Sequence, residues 1–315
     1  MKEQSISIVI SLFNEEKGIV HFWNSLKEVL NNMSEKINFE LLWVNDGSTD
    51  NTQKLIDNIR RDNSSDNIKS ISIEFSKNFG HESAMIAGVD NASGDAIICI
   101  DSDGQHPPKE IPKMIEIFNQ GSDIVLMQRL EREDNSFIKK KLSIFFYKII
   151  NFLSVIKFEK NSTDFFLISK RVGDILTSNF RDQNRFIRGF IQSLGFNKSK
   201  ISFKAPARLY GESNYSYLSL LKLAFNAIFS FSNKPLRISV FLSVFFIIFT
   251  LVMVGYTLYT YLYGEEAPSG YNTIIIFMSA SFSILFVTLS ILSLYFEKLI
   301  QEIRKRPIYI IKDKK

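Results

Sequence analysis

Ala96-Ile97-Ile98-Cys99-Ile100-Asp101-Ser102-Asp103-Gly104-Gln105 decides the fold: an unbroken apolar run, two carboxylates two positions apart, then a glycine. A run this short and this apolar reads as a strand buried on both faces, the hallmark of a parallel sheet covered by helices. Similar runs recur at 6–12, 39–45, 68–75 and 123–128. Between them, segments such as 16–33 and 50–60 carry apolar residues at helical spacing. The alternation predicts an α/β domain with a doubly wound, mostly parallel sheet of Rossmann type. Ligands of such sheets bind beyond the carboxyl ends of the strands. The residues just after each strand are therefore the candidates for chemistry.

Asp101 and Asp103 stand at such an end, where two carboxylates can reach one site. Hard oxygen donors suit Mg²⁺ or Mn²⁺, which in turn binds diphosphate. Gln105 adds a neutral ligand or a hydrogen bond. His106 precedes Pro107-Pro108, a helix start, and reads as flanking. A lone Asp-x-Asp is more often a solvated turn; its place after a buried strand reverses those odds. After the second strand come Asn45-Asp46-Gly47-Ser48-Thr49-Asp50. Gly47 permits a tight turn and Ser48 or Asp50 can cap the next helix, leaving Asp46 free to accept from a base or ribose. After the first, Phe13 offers a stacking face and Glu15 an acceptor for ribose hydroxyls. The plainer reading there is capping by Asn14, with Glu16 in the first helical turn. After the third come Asn78-Phe79-Gly80-His81, where His81 either touches phosphate or sugar or caps the helix that follows.

The 315 residues allow one full α/β domain and something smaller. The net charge of +5 does not form a single stripe. Basic residues cluster at 139–141, at Lys234 and Arg237, and at 304–306, beside apolar stretches, which fits anionic lipid and not nucleic acid. Cys99 is the one cysteine, so neither an internal disulfide nor a cysteine zinc site exists. The start MKEQSISIVISLFNEE is too short and too broken in its apolar run for a signal peptide, so the catalytic part is expected in the cytoplasm. Residues 238–263 and 272–296 are long enough to span a bilayer. They are joined by a loop with Glu265 and Glu266 and flanked by Lys234, Arg237, Lys298 and 304–306, which places both ends of the hairpin in the cytoplasm. The expected organisation is a catalytic domain at 1–212, an interfacial amphipathic helix at 213–235, two transmembrane helices within 236–298, and a basic cytoplasmic tail at 299–315.

The set SLFNEE, VNDGSTDNT, FSKNFGHESAMIAG, GDAIICIDSDGQHPP, NRFIRG and GESNYS, with two terminal apolar segments, resembles the family-2 inverting glycosyltransferases. Within them it is similar to the polyprenyl-phosphate glycosyltransferases, the bactoprenol glucosyltransferases and dolichyl-phosphate mannose synthase. The resemblance implies a GT-A-like fold and transfer of one sugar, glucose, from a UDP-sugar to polyprenyl (undecaprenyl) phosphate at the cytoplasmic face of a bacterial inner membrane, for cell-surface polysaccharide or O-antigen modification. It implies that Phe13 and Asp46 hold the base, Glu15 lies near the ribose, and Asn78 belongs to the substrate-binding set. Asp101 and Asp103 serve a metal-bound diphosphate with Gln105 beside them. Arg129 meets phosphate, Asp164 sits near the reacting centre, and Arg185 and Arg188 line the acceptor side. Tetramers occur in the family, so a homo-tetramer is the expected assembly. Three positions depart from the family pattern: Asn45 replaces an aspartate, Phe166 an arginine and Asn214 a lysine. The last two shift the holding of acceptor phosphate towards Lys139, Lys140, Arg185 or Lys222. The rivals are a diacylglycerol acceptor and a non-catalytic nucleotide-sugar-binding scaffold. A processive synthase fits poorly, because the chain lacks a Gln-x-x-Arg-Trp segment and enough helices for a pore.

Overall fold

The strand that opens the sequence argument, Ala96–Asp101, lies inside an eight-stranded sheet, with Ile97, Ile98 and Cys99 fully buried. A computed structural model describes residues 4–33, 37–62, 67–130, 162–182, 187–204, 206, 234–263 and 270–315. The strands are β1 (Gln4–Leu12), β2 (Ile37–Asn45), β3 (Ile68–Phe75), β4 (Ala96–Asp101), β5 (Ile124–Arg129), β6 (Ser162–Ser169), β7 (Lys198–Phe203) and β8 (Ile311–Lys314). Their order is β7-β5-β6-β4-β1-β2-β3-β8. Neighbours run parallel, except that β6 is antiparallel to both β4 and β5, and β8 is antiparallel to β3. The sheet is thus mostly parallel, with two reversed strands that the alternation did not reveal.

Helices cover both faces. On one, α1 (Ile19–Asn31), α2 (Thr52–Asp62) and α4 (Ile111–Asn119) bring Phe22, Trp23, Leu26, Ile56 and Met114 against Ile8, Ile10, Trp43, Ile98 and Phe165. On the other lie α3 (His81–Asn91) and α5 (Lys170–Asn179), whose buried residues include Met85, Ile86, Val172 and Leu176. Gly88 lets α3 lie on β1: a Cβ there would stand 2.0 Å from Val9 Cγ1. A short helix, α6 (Ile187–Ser193), completes this unit.

The amino ends of the strands are tied by a buried carboxylate. Glu40 accepts from Ser7 Oγ at 2.6 Å and from Ser93 N–H and Oγ at 2.8 Å each. Burial pushes its carboxyl up, but these bonds and Lys69 outweigh that and hold it below its ordinary value. A depressed folded pKa stabilises the protein above the unfolded value, and the contribution disappears as pH falls through the folded one. Glu40→Ala should cost about 2 kcal/mol at neutral pH, the desolvation cost of the orphaned donors. Thermal melts of detergent-purified protein should show the gap between wild type and variant closing as pH drops below the carboxylate range. An equal gap at acid pH would refute this role.

The second compact unit contains α7 (Lys234–Tyr263) and α8 (Tyr271–Ile303). Within them Ser239–Tyr256 and Ala280–Ile303 are long and apolar enough to cross a membrane, and almost nothing of either is buried within the protein. α8 runs seven residues past the expected 296, since 303 − 296 = 7. The final residues of the expected basic tail at 299–315 form β8 and belong to the first unit with the rest of the sheet. The expected interfacial helix at 213–235 lies outside the described residues up to 233.

Candidate active site

Four strands deliver polar residues to their carboxyl ends, and the connecting loops are laced to each other. Asn14, in a left-handed conformation at φ 54°, accepts from Thr49 N–H at 2.9 Å, while its own N–H donates to Ser48 Oγ. Glu15 N–H donates to Thr52 Oγ1, and Glu16 N–H to Asp50 Oδ2. Asn14 therefore staples two loops and does not cap α1, which begins behind Gly18 without any side-chain cap. Asp50 accepts from Thr52 N–H at 3.0 Å, the capping role expected of it. Asn45 Oδ1 accepts from Ser48 N–H and shapes the same turn. Gly47 completes it at φ 67°, where a Cβ would fall 2.4 Å from the Lys77 carbonyl carbon. A side chain there is excluded both by conformation and by space.

Asp46 is not free, as the sequence had suggested. It is 2% exposed, and its two oxygens accept from Phe79 N–H at 2.6 Å and Gly80 N–H at 2.9 Å. Burial pushes its carboxyl up despite these bonds. What it visibly does is hold the loop after β3. Phe13 is exposed at the tip of β1, where a flat partner has access. Asn78 is also exposed, its backbone nitrogen facing Gly47. Glu15, His21, Ser102 and Asp103 share the lining of a small cleft of about 20 Å³. The Ser102 hydroxyl is buried there with no hydrogen-bond partner among the described residues.

The two expected metal ligands are used differently. Asp103 Oδ1 accepts from Gln105 N–H at 3.0 Å. Asp101 belongs to a group of three with His81 and Asp164, whose ligand atoms lie within 4.8 Å of one another. Ser11 Oγ donates to Asp101 Oδ1 at 2.9 Å and lies 3.1 Å from His81 Nδ1. His81 Nε2 is 3.5 Å from Asp101 and 3.6 Å from Asp164. His81 does not cap α3, which has no side-chain cap; its ring faces Asp101 and Asp164. Burial lowers its pKa, but Asp101 and then Asp164 overcome this and push it up to about 10.

The donor set of two carboxylates and one imidazole fits a divalent ion. A bound ion would displace the imidazole proton. Asp101 is common to the expected pair and to the observed group.

Cations border this cluster. Arg188 Nε, on α6, lies 2.8 Å from Asp164 Oδ1, and its Nη1 donates to the Ser162 carbonyl at 2.9 Å. Burial pushes the Asp164 carboxyl up, but Arg188 and then His81 outweigh it and hold it at about 2. Arg129 Nη2 donates to Gln105 Oε1 at 2.6 Å, which ties the end of β5 to the Asp-x-Asp loop. Arg185 lies outside the described residues, as do Lys139, Lys140, Asn214 and Lys222. Phe166, the family's arginine position, is fully buried in β6 between Cys99 and Leu126. A cation at 166 would enter the core here.

Several participants escaped sequence reading. Ser11 opens the SLFNEE motif, near the end of β1, but was given no role there. His106, read as flanking, accepts from Asp101 N–H at 3.1 Å and stacks on Phe165 with ring centroids 5.3 Å apart. Glu82 accepts from Ile187 N–H at 2.9 Å and so ties α6 to α3. Burial, followed by the neighbouring Asp164, pushes Glu82 up to about 7. The Asp-x-Asp-x-x-His spacing was a usable signal for His106; the other two lie within quoted motifs, but their partners are distant in sequence.

Residues 7–177 match the model of glycosyl transferase family 2. An uncharacterized glycosyltransferase of Bacillus subtilis, YkcC, is 32% identical over 305 residues, covering 97% of this chain and 92% of that protein. The bactoprenol glucosyl transferase of Shigella phage SfII is 31% identical over 307 residues, covering 98% of this chain and 97% of its own. Among solved structures, glucosyl-3-phosphoglycerate synthase from Mycobacterium tuberculosis, in complex with Mn²⁺, UDP-glucose and phosphoglyceric acid, is 16% identical. That likeness covers 72% of this chain and 78% of the other, with a TM-score of 0.45.

Proposed function

The chain belongs to glycosyl transferase family 2 and is a glycosyltransferase; from this premise we propose that it moves one glucose from UDP-glucose to undecaprenyl phosphate at the cytoplasmic face of a membrane. The observation that carries the reading is the extent of the likeness to bactoprenol glucosyl transferases. It covers 98% of this chain, past residue 177 and through both long apolar helices. The membrane part is therefore shared along with the catalytic part. The strands β1 to β7 and β8 belong to one sheet-bearing unit, which requires an even number of crossings between β7 and β8, and two candidate spans supply that.

The reaction is a single in-line displacement with inversion. An acceptor phosphate oxygen forms a bond to the anomeric carbon while the bond from that carbon to the UDP oxygen breaks, and UDP leaves with the electron pair. A phosphate monoester has a second pKa of about 6, so at neutral pH it is largely the oxyanion and needs no strong general base. Phe13 and Glu15 receive the base and ribose, with Asp46 fixing the adjoining loop and Asn78 at its rim. Asp164, held as a carboxylate by Arg188, faces the developing positive charge on the sugar. Arg129, through Gln105, and Arg188, with Arg185, bring positive charge to the phosphates. Asp101, with Asp103 or with His81 and Asp164, would hold Mn²⁺ or Mg²⁺, whose contribution is Lewis-acid neutralisation of the departing diphosphate.

Membranes containing the protein should be supplied with a panel of nucleotide-sugars and undecaprenyl phosphate, with and without Mn²⁺ or Mg²⁺. UDP-glucose should give the highest metal-dependent labelling of extractable lipid. Labelling of diacylglycerol, or equal labelling without a divalent ion, would overturn the proposal.

A further inference from the structure

The last eight residues of the chain grip both elements that flank the loop after β3. On the strand side, β8 pairs with β3, and Ser76 N–H donates to the Ile310 carbonyl at 3.0 Å, where β3 gives way to the loop. Lys315 exchanges two backbone bonds with Ser72, at 2.9 and 3.0 Å. On the helix side, Tyr309 Oη donates to Asp90 Oδ2 at 2.7 Å and Lys314 Nζ to Asn91 Oδ1 at 2.7 Å, both at the far end of α3. Asp90 is further held by Arg181.

Between these two grips runs an aromatic relay. The Tyr309 ring stacks on Phe75, centroids 5.2 Å apart and 7° from parallel, and Phe75 meets Phe79 edge-on at 5.8 Å. Phe79 and Gly80 are the residues whose N–H groups engage Asp46, and the next residue is His81, which faces Asp101 and Asp164. Stacked and edge-on ring pairs are directional, so they transmit position as well as burying area. A strand added at the edge through backbone bonds supplies the attachment.

We propose that residues 308–315 are an intramolecular docking segment that sets the geometry of the Phe79-Gly80-His81 loop, with Tyr309 as the positioning residue. The segment begins at Ile308, a short stretch after α8 ends at Ile303, so a candidate membrane span is followed by the segment that orders this loop. That the ordered loop serves the nucleotide rests on the function proposed above; that the segment orders it does not.

Hydrogen exchange of the full-length protein in detergent tests the coupling without reference to substrate. Tyr309→Ala should speed exchange at Phe79 and Gly80 about tenfold, the equivalent of one aromatic pair, and leave α1 and β4 amides unchanged. Tyr309→Phe, which keeps the stack and loses the Asp90 bond, should fall between. A chain ending at Pro307 should show the same local loosening, reversed by adding a peptide of residues 308–315. In parallel, UDP affinity of Tyr309→Ala should drop about tenfold while the KM for lipid phosphate holds. Unchanged exchange at 79–80, or loosening spread evenly over the sheet, overturns the positioning role. If exchange responds as predicted but the wild type binds no UDP, the donor assignment fails and the docking segment stands.

Discussion

Asp101→Asn should lower sugar transfer on the order of a hundred- to a thousandfold, with protein folded and inserted at wild-type levels. The magnitude is that of removing one preorganised charge from a transition-state site. Asparagine is nearly isosteric and its Oδ1 still accepts from Ser11 Oγ, so the local packing survives. What disappears is the negative charge that Asp101 brings to the group with His81 and Asp164. Initial rates of lipid glycosylation, normalised to inserted protein, measure the effect. A loss below about tenfold would mean that the reacting centre lies elsewhere.

Arg188→Ala should be nearly as damaging, by about a hundredfold. Arg188 ion-pairs with the Asp164 carboxylate and donates a hydrogen bond to the Ser162 carbonyl. Its removal leaves a buried carboxylate without its nearest counter-charge, and Asp164 should then titrate well above its value of about 2. Arg188→Lys should recover little, because one ammonium group cannot serve two acceptors set apart in the manner of a guanidinium fork. Transfer assays at varied undecaprenyl phosphate would show the loss. Full activity in Arg188→Lys would reduce the role to simple charge.

The parts of this account that were legible in sequence are those written locally. Each run of apolar residues at 6–12, 39–45, 68–75 and 96–101 became a strand, and the carboxyl-end rule led to Phe13, Asp46, Asn78 and Asp101. The two long apolar segments became α7 and α8. The illegible parts depend on contacts distant in sequence. Ser11 meets an aspartate 90 residues away, and Ile187 N–H reaches a carboxylate 105 residues away. Asp46 stood in the right place for the wrong visible reason, because nothing in Asn45-Asp46-Gly47 announces that a later loop will occupy its oxygens. β8 gave little to read: of Ile311-Lys312-Asp313-Lys314 only the first is apolar, and the β-branched and aromatic run Ile308–Ile311 lies mostly before it.

Manganese binding tests the central claim without any assumption about sugar or lipid. Electron paramagnetic resonance of Mn²⁺ titrated into the detergent-purified protein with UDP should show stoichiometric loss of the free-ion signal for the wild type and none above background for Asp101→Asn. Equal uptake of Mn²⁺ by both proteins would contradict the placement of the ion at the end of β4.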